Sequence, residues 1–232
     1  MIKFVIGTVP ERAESLLVTL SRFDKPQDVT VICDTHATKG SWSNISTAIK
    51  AHPGRGDDWL VMLDDDTLPC CNFEHEAARA LKSSPADASV VSLFWGWRSS
   101  PVERARALGA SWIRTAYFVY GAAFAIRSSL RGDCLDWNAK HVRTDNQIGD
   151  ARVSYWAAAT GRICYGLAPS IVQHRPDQTS IVQGGRSNES FQAIWYADDA
   201  SGVEWNDRCV DYGKTAEQFM RSHAAAGNII NL

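Results

Sequence analysis

"WLVMLDDDTLP", residues 59 to 69, joins five mostly apolar side chains to three consecutive carboxylates, Asp64, Asp65 and Asp66. A short apolar run of this length reads as a buried strand. The three acids at its end repel one another by about 3 kcal/mol per pair, at ~5 Å and an effective dielectric near ~20. A positive group is therefore expected beside them.

Upstream, "IKFVIGTV" (2–9) is another run of strand length. "PERAESLLVTLSRF" (10–23) follows with Ala13, Leu16, Leu17, Leu20 and Phe23 at helical spacing and Pro10 near the first turn. "DVTVICD" (28–34) is a strand ending in Asp34. Strands alternating with helices predict a largely parallel sheet, in which ligands sit at the carboxyl ends of the strands. Thr8 with Arg12, Asp34 and the triple aspartate then share one crevice. The chain has no GxGxxG and no GxxxxGK[ST], so the usual dinucleotide and P-loop readings lose their main support.

Downstream, the pattern predicts a helix over 73–82, a strand in "ASVVSLFWGW" (88–97) and another in "AYFVYGAAFAI" (116–126). In "TDNQIGDARVSYWAAATG" (144–161), Thr144 and Gln147 have capping-box spacing, which places Asp145 in a helix's first turn, with Gly161 at its stop. "RICYG" (162–166) is a short strand, "APSIVQH" (168–174) holds one strand-like stretch to His174, and a helix closes the chain over 214–227. The stretch from Trp42 to Asn44 reads as loop. No internal repeat is present.

At 232 residues and 45% hydrophobic, the chain is expected to form one compact domain. No apolar run approaches the ~20 residues of a membrane helix, and a soluble, cytoplasmic protein is expected. The six cysteines lack CxxC spacing and are expected to be reduced rather than zinc ligands. Lys and Arg against Asp and Glu number 9 and 13 over residues 1–95, 8 and 3 over 96–143, and 7 and 10 over 144–232. The basic middle, with Trp95, Trp97, Trp112 and Trp137 among its arginines, suggests where an anionic acceptor binds.

Carboxylates at a strand end suit hard divalent cations shared with substrate phosphates. Two rival aspartate motifs fail: a haloacid-dehalogenase DxDx[TV] and a prenyl-transfer DDxxD both meet Leu68 at the fifth position.

With these residues in view, the chain resembles the GT-A glycosyltransferases over residues 3 to about 180. The shared elements occur in order: "LDDD" as the DxD, Gly121 in "VYGAAFAI", Asp145 in "TDNQ" and His174 in "SIVQH". The resemblance implies an α/β fold of Rossmann-like GT-A type, a mixed, mostly parallel sheet flanked by helices. It implies a catalytic domain over 1–190, with a nucleotide-sugar-binding half at 1–95 and an acceptor-binding and catalytic half at 96–190, and an extension at 191–232 packed on it.

It also implies a metal-dependent transfer of a sugar from a nucleoside diphosphate, UDP favoured, to an acceptor hydroxyl with inversion. Asp66, Asp64 and His174 are the expected ligands of Mn²⁺ or Mg²⁺, and Asp145 the expected general base, with Asp150 as the alternative. Thr8, Pro10, Arg12, Asp34, Trp42, Asn44, Asp64, Asp65 and Gly121 are expected around the nucleotide sugar. Small enzymes of this type occur in phages, where some glycosylate hydroxymethylated pyrimidines in DNA, so DNA is an expected acceptor and host cytoplasm an expected location.

The polar segment from Arg175 to Ser190, with Gly184 and Gly185, is expected to close over bound donor and exclude water. Two other classes use the same features: a metal-dependent nucleotidyltransferase or phosphohydrolase, marked by release of pyrophosphate or phosphate, and a sugar- or nucleic-acid-binding module without turnover.

Overall fold

The computed structural model describes residues 1–35, 40–52, 58–96, 99–117, 121–180 and 186–229. In chain order the elements are β1 (Ile2–Thr8), α1 (Ala13–Leu20), β2 (Thr30–Cys33), α2 (Ser41–Ala51), β3 (Trp59–Asp64), β4 (Thr67–Pro69), α3 (Phe73–Lys82) and β5 (Ala88–Ser92). There follow α4 (Ser99–Leu108), β6 (Trp112–Thr115), β7 (Ala123–Arg127), α5 (Arg131–His141), α6 (Gly149–Ala159) and β8 (Ile163–Leu167). The last are β9 (Val172–His174), β10 (Thr179–Ser180), β11 (Arg186–Ser187), β12 (Cys209–Asp211) and α7 (Ala216–Ala225).

Eight strands form one mixed sheet in the order β12-β6-β8-β5-β7-β3-β1-β2. The pairs β1/β2, β1/β3, β5/β8 and β6/β12 are parallel, whereas β7 runs against both β3 and β5, and β6 against β8. The protein is thus a single-domain, mixed α/β structure with a mostly parallel sheet flanked by helices.

The strand period of two divides the core between the two faces. Ile6, Val61, Leu63, Ala123 and Ala125 pack with α3 and with Leu16 and Leu20 of α1. Val5, Leu60, Met62, Phe124 and Ile126 face α2, α5 and α6. At the far edge Trp95, Ile113 and Val210 pack with α4, and Phe219 and Met220 of α7 pack beside Val142 and Tyr155.

Several elements depart from the expectations. Residues 41–51 form a helix, not a loop, and Trp42 is a core residue on it, 9% exposed, with the Arg152 guanidinium 5.0 Å from its ring centre. The strand expected over 88–97 stops at Ser92, and α4, α5, β6 and β12 have no counterpart in the periodicity reading. Trp95 and Trp112 are 1% and 0% exposed, so these indoles fill the core and offer no face to an acceptor.

The arginines of the basic middle are largely engaged within the fold. Arg104 donates to the Asp211 carbonyl, Arg114 pairs with the Asp211 carboxylate and Arg106 stacks on Trp195. Trp97 and residues 181–185 lie outside the described residues. All six cysteines are free thiols, as expected, although Cys33, Cys71 and Cys209 are exposed rather than in the core.

Helix α6 also starts later than expected. It begins at Gly149, behind Ile148, and Asp145 sits in the preceding turn, exposed and ion-paired with Arg143 at 2.6 Å. Two tertiary bonds fix this start: Gly149 N–H donates to Ser41 Oγ at 2.8 Å, and Trp42 N–H donates to the Gln147 carbonyl at 3.0 Å. The first turns of α2 and α6 therefore cap each other. Arg152 holds the intervening turn by donating to the Asn146 and Arg143 carbonyls.

Candidate functional site

The carboxyl ends of β1, β2 and β3 lie side by side, so Thr8, Asp34 and Asp64 share one edge of the sheet. Asp34 N–H donates to the Thr8 carbonyl at 2.9 Å, and Asp64 N–H to the Ala122 carbonyl at 2.9 Å. His174 arrives by another route: β9 pairs antiparallel with β4, with Thr67 opposite His174. That register sets the histidine beside Asp66.

The positive group required by the three acids is Arg12, whose side chain is 10% exposed. Its Nη1 lies 3.1 Å from Asp65 Oδ1 and 2.8 Å from Asp66 Oδ2, and its Nη2 donates to the Thr179 carbonyl. Thr8 Oγ1 donates to Asp65 Oδ2 at 2.6 Å. Asp65 is therefore consumed by protein contacts.

Helix α1 holds this turn from below. Leu17 is 65% exposed, whereas Ser15 and Thr19 are 3% and 0% exposed, the reverse of what apolar spacing predicts. Their hydroxyls meet backbone carbonyls of the turn: Ser15 Oγ donates to Asp65 O at 2.7 Å, and Thr19 Oγ1 lies 2.8 Å from Thr67 O and 3.0 Å from Asp65 O. Buried carbonyls need donors, and the helix turned its polar edge inward to supply them. Thr19→Val, nearly isosteric, is expected to destabilise the fold by about 1–3 kcal/mol through the unmet carbonyl. Urea unfolding checks this, and an unchanged midpoint refutes it.

The three acids differ in proton affinity. Burial raises Asp66, but His174, Arg12 and Asn188 outweigh it and hold the carboxyl well below its ordinary value. Asp64 is pushed well above that value by burial and then by Asp66, Asp65 and Asp150, against the pull of Arg12. Burial also raises Asp65, opposed by Thr8 and Arg12.

Asp64 lines a cleft with Gly7, Ser41, Asn44 and Gly121, above an apolar floor that includes Val5, Met62 and Phe124. Asp150, on the first turn of α6, packs against this cleft: a Cβ on Gly121 would fall 2.4 Å from Asp150 Cβ and 3.3 Å from its Oδ2. Only glycine allows that approach. Asp150 Oδ1 accepts from Ala151 N–H at 2.8 Å, and burial raises the acid above its ordinary value despite backbone hydrogen bonds.

Of the residues singled out in the sequence, the structure thus gathers Thr8, Arg12, Asp34, Asn44, Asp64, Asp65, Asp66, Gly121 and His174 around one edge of the sheet. Pro10 is exposed in the single turn after β1, Trp42 is in the core, and Asp145 is exposed in the turn before α6. Ser15, Thr19 and Asn188 were missed. The first two form an i, i+4 polar stripe visible in the letters, whereas Asn188 lies in a polar loop without any distinguishing pattern.

Among the described residues no three His, Cys, Asp or Glu side chains form a metal cluster. Two atoms nevertheless fit a cation. Asp66 Oδ1 and His174 Nδ1 are buried, lack hydrogen-bond partners and lie 3.7 Å apart. That separation exceeds a hydrogen bond and suits two ligands of one ion with bonds near ~2.1 Å.

No protein-family model and no curated protein matches the chain. Among solved structures, it is similar to the protein A197 from STIV, with 13% identity and TM-score 0.42 over 89% of this chain and 96% of that one. It is also similar to apo mouse xyloside xylosyltransferase 1, with 8% identity and TM-score 0.34 over 69% and 82% of the two chains. One structural neighbour is therefore a glycosyltransferase. No described helix is long and apolar enough to cross a membrane.

Proposed function

We propose that the protein is a glycosyltransferase of GT-A type, moving a sugar from a nucleoside diphosphate, UDP favoured, to an acceptor hydroxyl with inversion. The observation that supports this most is that Asp64, at the end of β3, feels the charge of both Asp66, in the open Asp66–His174 pair, and Asp150, packed on Gly121. The two provide for the two halves of one reaction: a leaving diphosphate and an attacking hydroxyl.

Asp66 and His174 would hold Mn²⁺ or Mg²⁺, with the remaining ligands left to phosphate oxygens and water. Such a cation stabilises the charge that collects on the departing diphosphate. Asp150 takes the acceptor's proton, and its place in the first turn of α6 favours the carboxylate it must be at that moment. Asp150 is preferred to Asp145 because the Asp145 carboxylate lies exposed in the turn before α6, ion-paired with Arg143, whereas Asp150 packs on Gly121 beside the cleft. Asp64 and Asn44 orient the sugar nucleotide in the cleft, and Arg12 keeps the acidic turn compact.

A thermal-shift screen of nucleotide sugars with and without Mn²⁺ tests the reading. A donor at about 100 times its Kd stabilises by about 2.7 kcal/mol, which is a rise of about 5–10 °C for a domain of this size. Release of nucleoside diphosphate on turnover supports it further. Pyrophosphate or phosphate as the product, or no shift with any nucleotide sugar, overturns it.

A further inference from the structure

The two oxygens of the Asp66 carboxylate have different surroundings. Oδ2 receives Arg12 Nη1 at 2.8 Å and Asn188 Nδ2 at 3.0 Å, whereas Oδ1 is buried, without a hydrogen-bond partner, and turned toward His174 Nδ1 at 3.7 Å. A carboxylate held at one oxygen by two donors cannot rotate its other oxygen away without breaking a charge-assisted bond.

Asn188 is itself locked. It is 1% exposed, its N–H donates to the Gln178 carbonyl at 3.0 Å, and its carbonyl accepts from Gln192 Nε2 at 2.9 Å. The same Gln192 Nε2 donates to the His174 carbonyl at 3.1 Å. The His174 ring stands edge to face on Phe94, with centroids 4.8 Å apart, and Arg175 N–H donates to the Asp66 carbonyl at 2.9 Å. One amide group, that of Gln192, thus ties the backbone of the histidine to the backbone of the asparagine that grips Asp66.

We infer that Asn188 is a positioning residue: it aims Asp66 Oδ1 at His174 Nδ1, so that the two atoms form a preset bidentate seat for a divalent cation. This rests on the reading proposed above, in which that pair binds the cation. Groups that orient a metal's ligands are worth 10- to 100-fold in affinity in comparable sites. Removal of the Asn188 donor lets the Asp66 carboxylate turn about its remaining bond to Arg12, and the seat is lost although both ligands are still present.

The test is Mn²⁺ binding by the full chain, with and without UDP, followed through the electron paramagnetic resonance signal of free aqueous Mn²⁺. Asn188→Leu, which keeps the volume and removes the donor, is expected to raise the Mn²⁺ Kd about 10- to 100-fold. If that variant does not fold, Asn188→Ser, smaller and still able to donate, is measured instead and is expected to raise it about tenfold. An unchanged Kd in the folded variant, with a lower melting temperature only, means that Asn188 is merely structural and overturns the inference alone. Tighter Mn²⁺ binding in the variant overturns it as well. Absence of Mn²⁺ binding by the wild-type chain, with or without UDP, overturns the cation site of the proposed function and this inference with it.

Discussion

Asp150→Asn is expected to lower kcat by about 10²- to 10⁴-fold with little change in donor affinity, the loss found when a general base is removed. The replacement has the same shape, so it leaves the Gly121 contact in place and removes only the proton acceptor. In the wild type, burial raises the acid above its ordinary value. The proposed activity needs the carboxylate, so kcat/KM should climb with pH through an acid limb that lies above the ordinary carboxylate value, and the variant's residual activity should lack that limb. The same shift has a consequence of opposite sign for stability. A carboxyl whose folded-state proton affinity is raised contributes stability that is complete below the unfolded-state value and is lost as pH rises through the folded-state value. Above the folded-state value, where the carboxylate is formed, the wild type has forgone that contribution. Asp150→Asn should therefore melt at or above the wild-type temperature while failing to turn over, a trade between stability and activity. A variant that retains more than a tenth of wild-type turnover sinks the assignment.

Asp66→Ala should produce the largest loss of stability at the site. It removes the partner of a nearly buried guanidinium and the acceptor of a buried amide at one stroke. Breaking a buried pair in this way costs about 3–5 kcal/mol, and for a domain of this size each kcal/mol lowers Tm by about 2–4 °C. Asp65 still faces Arg12, which places the expected effect at the lower end, a fall of roughly 10 °C. Asp66→Asn, which keeps the shape and an acceptor oxygen, should lie between the two. Calorimetry decides the matter: a change of about a degree in Asp66→Ala would mean that Arg12 finds another partner and that the network carries no weight in folding.

The sequence made legible what local physical chemistry controls. Apolar runs located β1, β2 and β3, and their alternation with helices placed Thr8, Asp34 and Asp64 on one edge. The need for a cation beside three carboxylates was also readable, although its answer, Arg12, comes from the turn after β1. Other features depend on partners distant in the chain. Leu17 reads as core by its spacing, but apolar periodicity carries no information about the carbonyls of Asp65 and Thr67 that demanded Ser15 and Thr19 instead. Thr144 and Gln147 read as a helix cap, but α6 starts where Ser41 supplies a hydroxyl to Gly149. For that reason Asp145 looked like the acid at the head of the helix and Asp150 occupies that place. The tryptophans of the basic middle read as binding faces because composition does not reveal that Trp95 and Trp112 are needed to fill volume.

The reciprocal caps of α2 and α6 bear on the order in which the molecule assembles. Ser41 and Gly149 are 108 residues apart, so closing that contact carries the entropy of a long loop and awaits the docking of both halves of the sheet. The backbone beneath Asp150 acquires its final direction only then, and neither half on its own specifies where the acid points. The chemistry proposed for this edge is accordingly expected of the finished chain and not of a nascent portion of it.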